Sequence, residues 1–386
     1  MKILDLNIKG YRSLKEVTWQ PGALNVIIGP NGSGKSNLLR FLELISVSAQ
    51  GRLGKHIQAL GGMEAILWDG RASAISFGCT YKFLEEESSI YELQLARIGL
   101  TSSYIIQEEA LSTITPRQEH ALVQIARAGL KGRVLSEAGQ LMPVQVVFLN
   151  EEESLLSTRA LGMDLDIQTL QTFLLNWRIY HDIDVSQSAP LRQSALARTE
   201  RWVDSDGQNL IQVLHTLYNE NRDFKNAINA AMRAAFGDDF EELLFPPAAD
   251  NRIQMRVRWK SLKREQSAAD LSDGTLRFLL LLTILANPFA EELIAIDEPE
   301  AGLHPAMLPI IAEYAVDASA RSQIIFTTHS PQFLDAFTDT KPTTTVARWQ
   351  DGETKLNILQ GDQLASWLQE YSLGALFTSG ELEEMG

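Results

Sequence analysis

The run Gly29-Pro30-Asn31-Gly32-Ser33-Gly34-Lys35-Ser36 constrains this chain more than any other segment. It satisfies G-x-x-x-x-G-K-[ST], a loop that sits between a buried strand and a helix so that its backbone N–H groups surround phosphate oxygens. The flanks meet that demand. Leu24-Asn25-Val26-Ile27-Ile28 reads as a buried strand, and Ser36 to Ile45 carries the apolar spacing of a helix. At average residue usage a chance match in a chain this long has a probability of roughly one or two per cent, before the flanks are counted. The glycines let the backbone close on the phosphates, Lys35 supplies charge to the β- and γ-phosphates, and the Ser36 hydroxyl is a ligand for Mg²⁺. An α/β fold is expected, with ATP and Mg²⁺ as ligands and Gly29 through Asn37 as nucleotide contacts.

Three further segments specify the kind of site. Leu293-Ile294-Ala295-Ile296-Asp297-Glu298 is an apolar strand ending in two carboxylates. Downstream of a phosphate loop, Asp297 is placed to hold Mg²⁺ and Glu298 to polarise an attacking water. Leu271-Ser272-Asp273-Gly274-Thr275 resembles the LSGGQ signature of the ABC class, in the form used by RecF-like and SMC-like ATPases. Thr327-Thr328-His329-Ser330 resembles the switch-histidine loop of that class. The order of phosphate loop, signature, acidic strand, Glu300-Ala301-Gly302-Leu303-His304-Pro305 and His329 is the order of the class. The chain thus resembles RecF-like ATPases, related to the OLD-type ATPases of phage defence, over nearly its whole length. Gly10-Tyr11-Arg12-Ser13-Leu14 and Tyr371-Ser372-Leu373-Gly374 look like that group as well.

The resemblance implies an α/β P-loop ATPase head of the ABC class, with an antiparallel β lobe and a helical subdomain carrying the signature. It implies a homodimer with ATP in the interface, in which Ser272 and the Gly274 backbone contact the γ-phosphate held by the other copy. Glu298 is then the general base, His329 the γ-phosphate sensor, and Asp297 with Ser36 the Mg²⁺ ligands. Arg12 and Ser13 lie near the nucleotide in such proteins. Gln58 and Gln107 are both candidates for the metal-watching glutamine of the class, with nothing in the sequence to decide between them.

Because these motifs fall near both ends, the middle of the chain reads as an insertion into one bilobed domain, residues 1–386. Its parts are a phosphate-loop lobe (1–150), a helical insertion (151–245) and a lobe with the signature, acidic strand and histidine (246–386). Ser73 to Phe83, Tyr91 to Leu100, Ser103 to Ile106 and Val144 to Phe148 read as strands. Ile167, Leu170, Phe173, Leu174, Trp177 and Tyr180 recur at helical spacing, as do Leu210, Leu214 and Leu217. No heptad register persists, so no long coiled-coil arm is expected. Phe278 to Ala286 is too short to span a bilayer and reads as a buried helix.

A net charge of −15 opposes general nucleic-acid affinity. Arg252, Arg256, Arg258, Lys260, Lys263 and Arg264 nevertheless cluster before the signature, either as a solvated strand face or as a site for phosphate, DNA or an acidic partner. The acidic runs Glu85 to Glu87 and Glu151 to Glu153 read as solvated turns. A single cysteine, Cys79, and the lack of an N-terminal apolar block suit a reducing cytoplasm. Three functions stay open: an ATP-gated switch in phage defence or DNA maintenance acting through a partner, a stand-alone DNA-binding ATPase of repair, and a transporter's ATP-binding subunit. Related OLD-type proteins carry a TOPRIM nuclease domain. Asp335, Asp339, Asp351 and the acidic tail do not read as such a metal site, so any effector, such as a TOPRIM-like nuclease, is expected on a separate chain.

Overall fold

The computed structural model describes residues 1–84, 87–99, 101–114, 121–136, 139–145, 149–158, 164–337, 340–359 and 372–380. The chain divides into two compact units, Met1–Ile179 with Thr343–Leu364 and Leu382–Gly386, and Tyr180–Pro342 with Ala365–Glu381.

The first unit holds an eight-stranded antiparallel sheet and a smaller sheet at the phosphate loop. The large sheet contains β1 (Lys2–Tyr11), β2 (Leu14–Trp19), β4 (Ala74–Leu84), β5 (Glu87–Arg97), β6 (Tyr104–Ile114), β7 (Leu122–Ala128), β8 (Lys131–Leu135) and β9 (Leu141–Pro143), in the order β2-β1-β4-β5-β6-β7-β8-β9. Alternation sets its faces: Leu6, Ile8, Phe77, Cys79, Tyr91 and Leu93 point into the core. Onto them packs α1 (Lys35–Ser48), with Leu38, Phe41, Leu42 and Ile45 fully buried. Edge-on aromatic contacts run Tyr11–Phe41–Phe77–Tyr91, with ring centroids 4.9, 5.7 and 5.7 Å apart. In the smaller sheet, β3 (Leu24–Ile28) is parallel to β19 (Thr343–Gln350), which pairs antiparallel with β20 (Glu353–Ile358). All five residues of β3 are buried, and its one polar member, Asn25, exchanges hydrogen bonds with the Gly22 backbone, Nδ2 donating to Gly22 O at 2.9 Å and Oδ1 accepting from Gly22 N at 2.7 Å.

Two short helices, α2 (Leu53–Ala59) and α3 (Met63–Ile66), follow α1. The helical spacing read through Tyr180 stops earlier: α4 is Leu165–Leu175, and Trp177–Tyr180 is a strand, β10. Trp177 still joins the α4 face, stacked edge-on against Phe173 at 5.5 Å, which is why its position mimicked a further helical turn. Glu151 to Glu153 is not simply a solvated turn. The Glu153 carboxylate accepts the N–H groups of Leu53 and Gly54 at 3.0 and 3.1 Å, capping α2. Nearby, buried Glu109 accepts from Leu155 N, Leu156 N and Tyr91 Oη at 2.8, 3.1 and 3.1 Å. Of the other early readings, Glu85, Glu86 and residues 146–148 lie outside the described residues.

The second unit contains two small antiparallel sheets. One is formed by β11 (Ala195–Leu196), β13 (Pro247–Ala248) and β14 (Arg252–Ile253), the other by β12 (Phe240–Leu244), β15 (Arg256–Trp259) and β16 (Gln266–Ser267). Helices α5 (Leu210–Glu220) and α6 (Arg222–Phe236) precede the signature helix α7 (Asp273–Leu285). In α7 every residue from Phe278 to Leu285 is buried, so the apolar run is core. The parallel pair β17 (Leu293–Asp297) and β18 (Gln323–Thr328) is joined by α8 (Leu308–Ser319) in the right order for a β-α-β crossover. Helices α9 (Pro331–Asp335) and α10 (Leu373–Ser379) complete the unit. Among the described residues no helix is long and apolar enough to cross a membrane.

Candidate functional site

In the first unit β3 delivers the chain into the phosphate loop. Gly29, Gly32 and Gly34 take φ of 151°, 83° and 98°, a region that side chains disfavour. Space restricts two of them further. A Cβ on Gly29 would run into the Ala347 carbonyl oxygen, and a Cβ on Gly34 would run into Thr354 Oγ1 and lie 2.7 Å from Ser13 Oγ. Pro30, Asn31 and Gly32 form the exposed crest, while Ser33 and Lys35 are buried. Lys35 opens α1, and its Nζ donates to the Gly29 and Pro30 carbonyl oxygens at 2.7 and 3.1 Å. Ser36 and Asn37 follow in the first turn, half-buried. That turn contains no acidic side chain, so the helix dipole and its N–H groups keep a positive end at the loop.

The loop is braced from both ends of the sequence. Thr354 Oγ1, on β20, donates to the Ser33 carbonyl oxygen at 2.9 Å and lies 2.7 Å from Ser13 Oγ, whose hydroxyl is free to donate to it. Asn37 Nδ2 donates to Ser13 Oγ at 2.8 Å, and Thr354 N donates to Ser13 O at 2.8 Å. Ser13 thus lies against the loop. Thr354 was invisible to sequence reading, since nothing local marks a threonine 341 residues from its partner. Beside it Arg12 is held at a φ of 45°, with a buried Nε that has no hydrogen-bond partner among the described residues.

In the second unit β17 carries Asp297 to its end, opposite Thr327 of β18. Thr327 Oγ1 donates to the Asp297 carboxylate. Glu298 follows at a φ of 46°, with its N–H on Thr327 O at 3.1 Å. This turn aims the Glu298 carboxylate at His329, whose Nδ1 is 3.0 Å from Glu298 Oε1 and 3.8 Å from Glu300 Oε1. Glu300 accepts from Thr328 Oγ1 at 2.5 Å and from His329 N at 3.4 Å. Burial pushes the Glu300 carboxyl above the usual carboxylate range, against these hydrogen bonds and the charge of His329. A cleft of about 280 Å³ opens here, lined by Asp182, Asp184, Arg277, Asp297 and Glu298. The structure therefore brings Asp297, Glu298 and His329 together, and adds Glu300 and Arg277. Glu300 was read only as part of a longer motif, and Arg277, between the signature and the apolar run, was not singled out.

The signature lies at the start of α7. Ser272 is the N-cap, its Oγ accepting from Thr275 N at 3.1 Å. Gly274 has a packing reason of its own: a Cβ there would come within 2.6 Å of the Gly302 carbonyl oxygen. The buried Arg192 guanidinium donates to Leu271 O at 2.6 Å and to the Asp273 carboxylate, fixing the segment's backbone. The basic cluster is split. Arg252, Arg256 and Arg258 are spent on Ser194, Gln254, and Glu242 with Glu265, respectively, while Lys260, Lys263 and Arg264 are exposed at the hairpin tip. Gln58 lies exposed on α2 and Gln107 exposed on β6.

Two family models match the chain. One, described as an AAA ATPase domain, covers residues 1–137; the other, described as "AAA domain, putative AbiEii toxin, Type IV TA system", covers residues 165–335. The chain is 24% identical over 182 residues to the DNA replication and repair protein RecF of Pseudoalteromonas atlantica, which spans 47% of this chain and 39% of RecF. A solved Smc head, bound to the C-winged helix domain of ScpA, superposes on 95% of this chain and 100% of its own with a TM-score of 0.53 at 15% identity. This chain is similar to RecF-like and SMC-like ATPases of the ABC type.

The SMC-head-like α/β fold holds across a second superposition. The Smc head of Pyrococcus furiosus, with an extended coiled coil and bound to the C-terminal domain of ScpA, matches 95% of this chain and 98% of its own at a TM-score of 0.56 and 13% identity. Among curated relatives, the hemin import ATP-binding protein HmuV of a Ruegeria species is 33% identical over 154 residues, 37% of this chain and 52% of HmuV. The RecF- and SMC-like chain thus spans 39% to 52% of the length of these two curated relatives.

Proposed function

We propose that this ATPase is an ATP-gated switch: two copies close on two ATP molecules, and hydrolysis opens them again. The observation that carries the reading is the geometry of the phosphate loop. Two of its glycines have no room for a side chain, and a buried lysine ammonium lies under the crest at 2.7 Å from the Gly29 carbonyl. In this reading the N–H groups of Gly32 to Asn37 and the Lys35 ammonium hold the β- and γ-phosphates. Glu298 orients and polarises the attacking water, and His329, now on Glu298, turns to the γ-phosphate as it arrives. Ser36 and Asp297 offer a hydroxyl and a carboxylate, the hard oxygen donors that Mg²⁺ takes. Held there, Mg²⁺ would supply positive charge toward the phosphate oxygens. Ser272 and Gly274 cap the γ-phosphate of the other copy, so loss of that phosphate removes the bridge between copies.

A role in phage defence or DNA maintenance, through a separate effector chain such as a TOPRIM-like nuclease, follows from the resemblance to OLD-type ATPases, and the family model over residues 165–335 adds a toxin description to the defence side of it. The likeness to RecF favours a second reading, a DNA-binding ATPase of repair. The charge of −15 and the internally spent arginines favour the first. A cytoplasmic setting suits Cys79, a free thiol that burial keeps protonated. The test is direct. Glu298→Gln should retain ATP binding, lose turnover by about 10² to 10⁴, and accumulate an ATP-bound dimer on size exclusion. Lys35→Ala should lose ATP binding. Wild-type turnover by Glu298→Gln, or a monomer at saturating ATP, would refute the switch. Tight, salt-sensitive binding of duplex DNA by the wild-type protein alone would move the reading to repair.

A further inference from the structure

The first two turns of the signature helix α7 touch the segment that carries Glu298 at two points. On the first turn, Gly274 lies against the Gly302 carbonyl oxygen so closely that a methyl group would not fit. On the second turn, Arg277 Nη2 donates to the carbonyl oxygen of Glu298 at 3.0 Å. That carbonyl also receives Ala301 N at 3.1 Å, so the peptide after Glu298 is held by one main-chain donor and one charged side-chain donor. Glu298 needs such holding. Its φ of 46° is unfavourable for any residue with a Cβ, and it persists only where the surroundings fix it. Arg277 also lines the cleft beside Asp297 and Glu298. Burial disfavours its charge, while Glu300 foremost, then Glu298 and Asp297, favour it.

We infer that Arg277 is a positioning residue, through which the signature helix sets the backbone of Glu298 and thereby the direction of its carboxylate. The side chain touches neither reacting phosphate nor water in this assignment. It acts through Glu298, and the inference rests on the reading of Glu298 as the base. Because Ser272 caps the same helix five residues earlier, a displacement at the signature reaches Glu298 through Arg277 and the Gly274–Gly302 contact together. A nucleotide seated on the signature then aligns the base of the chain that carries that signature. ATP bound at one phosphate loop is thereby coupled to hydrolysis at the other.

Single-turnover and steady-state ATPase assays on the full chain test this. Arg277→Gln should lower kcat by about 10- to 10²-fold, the range for a lost hydrogen bond from a charged donor, with KM for ATP unchanged within about threefold. Arg277→Lys, which keeps a charged donor, should recover a substantial part of that loss. The deciding measurement is the pair Glu298→Ala and Arg277→Gln/Glu298→Ala. If Arg277 acts only by placing Glu298, the double variant turns over at the rate of Glu298→Ala within about twofold. A general structural role would instead add its own loss to that of Glu298→Ala, and would show equally in thermal unfolding. Additive losses, or full activity of Arg277→Gln beside an inactive Glu298→Ala, would overturn the positioning role alone. Full activity of Glu298→Ala would overturn the reading on which it rests.

Discussion

Gly34→Ala measures how tightly the phosphate loop is built into its surroundings. At a φ of 98° the new methyl group sits in a disfavoured region, which costs about 1–2 kcal/mol. It also occupies the place of Thr354 Oγ1, so the Thr354 side chain must turn away. Two hydrogen bonds go with it, to Ser13 Oγ at 2.7 Å and to Ser33 O at 2.9 Å, at about 1 kcal/mol each. The expected total is about 3–4 kcal/mol, or about 10² to 10³ in ATP affinity if the cost falls on the binding-competent loop. Thr354→Ala alone loses the same two bonds without strain, about 2 kcal/mol. The double variant counts the hydroxyl once. Its new methyl lies 3.0 Å from the residue 354 Cβ and 2.7 Å from Ser13 Oγ before relaxation, approaches relieved by a shift of a few tenths of an ångström and by rotation of the Ser13 hydroxyl, which no longer has Thr354 as a partner. It should therefore cost about 3–4 kcal/mol rather than the sum of about 5–6, an interaction of about 2 kcal/mol. Calorimetric titration with ATP and chemical denaturation of the three variants provide the numbers. Additivity within about 0.5 kcal/mol would mean that Thr354 does not brace the loop.

Two further outcomes follow from packing and burial. Gly274→Ala should lower stability without ATP by about 1–3 kcal/mol, because the Gly302 carbonyl leaves no room; wild-type denaturation by this variant would show that the contact is loose. Signature substitutions at this glycine therefore report on folding before they report on dimerisation, and the Ser272 position is the cleaner probe of the composite site. Burial raises the folded pKa of Glu109 above its ordinary 4.5, so the folded state keeps this proton to higher pH than the unfolded chain. The associated stability is fully present below that value and is lost as pH rises through the folded pKa. Glu109→Gln should flatten this slope in pH-dependent denaturation, and an unchanged slope would assign it to another group.

The parts of this fold that could be read from sequence are those whose chemistry is local. The phosphate loop requires glycines at fixed offsets after a buried strand, and β3, Gly29–Ser36 and α1 follow the sequence in that order. Asp297 ends an apolar strand, and His329 follows another, so the parallel pairing of β17 with β18 brings the two motifs side by side. Reading failed where polar residues are consumed in the interior. The strand β6 runs on to Ile114 through Gln107, Glu108 and Glu109, past Ile106, where the strand reading ended, because acids seldom enter sheets. Glu109 is tolerated there because three donors meet its carboxylate. Helix α4 packs with the first unit, Phe173 against Tyr81 at 5.4 Å, although its sequence reads as part of the helical stretch. The same physics hides the residues that steady the site. Thr354, Arg277 and Glu300 act on backbone or hydroxyl groups of residues 21 to 341 positions away, in bonds that leave no periodic or compositional trace. A motif announces the groups that meet the nucleotide. The groups that hold those motifs in competent geometry become visible only once Glu298 is seen at positive φ and Gly34 is seen hard against Thr354.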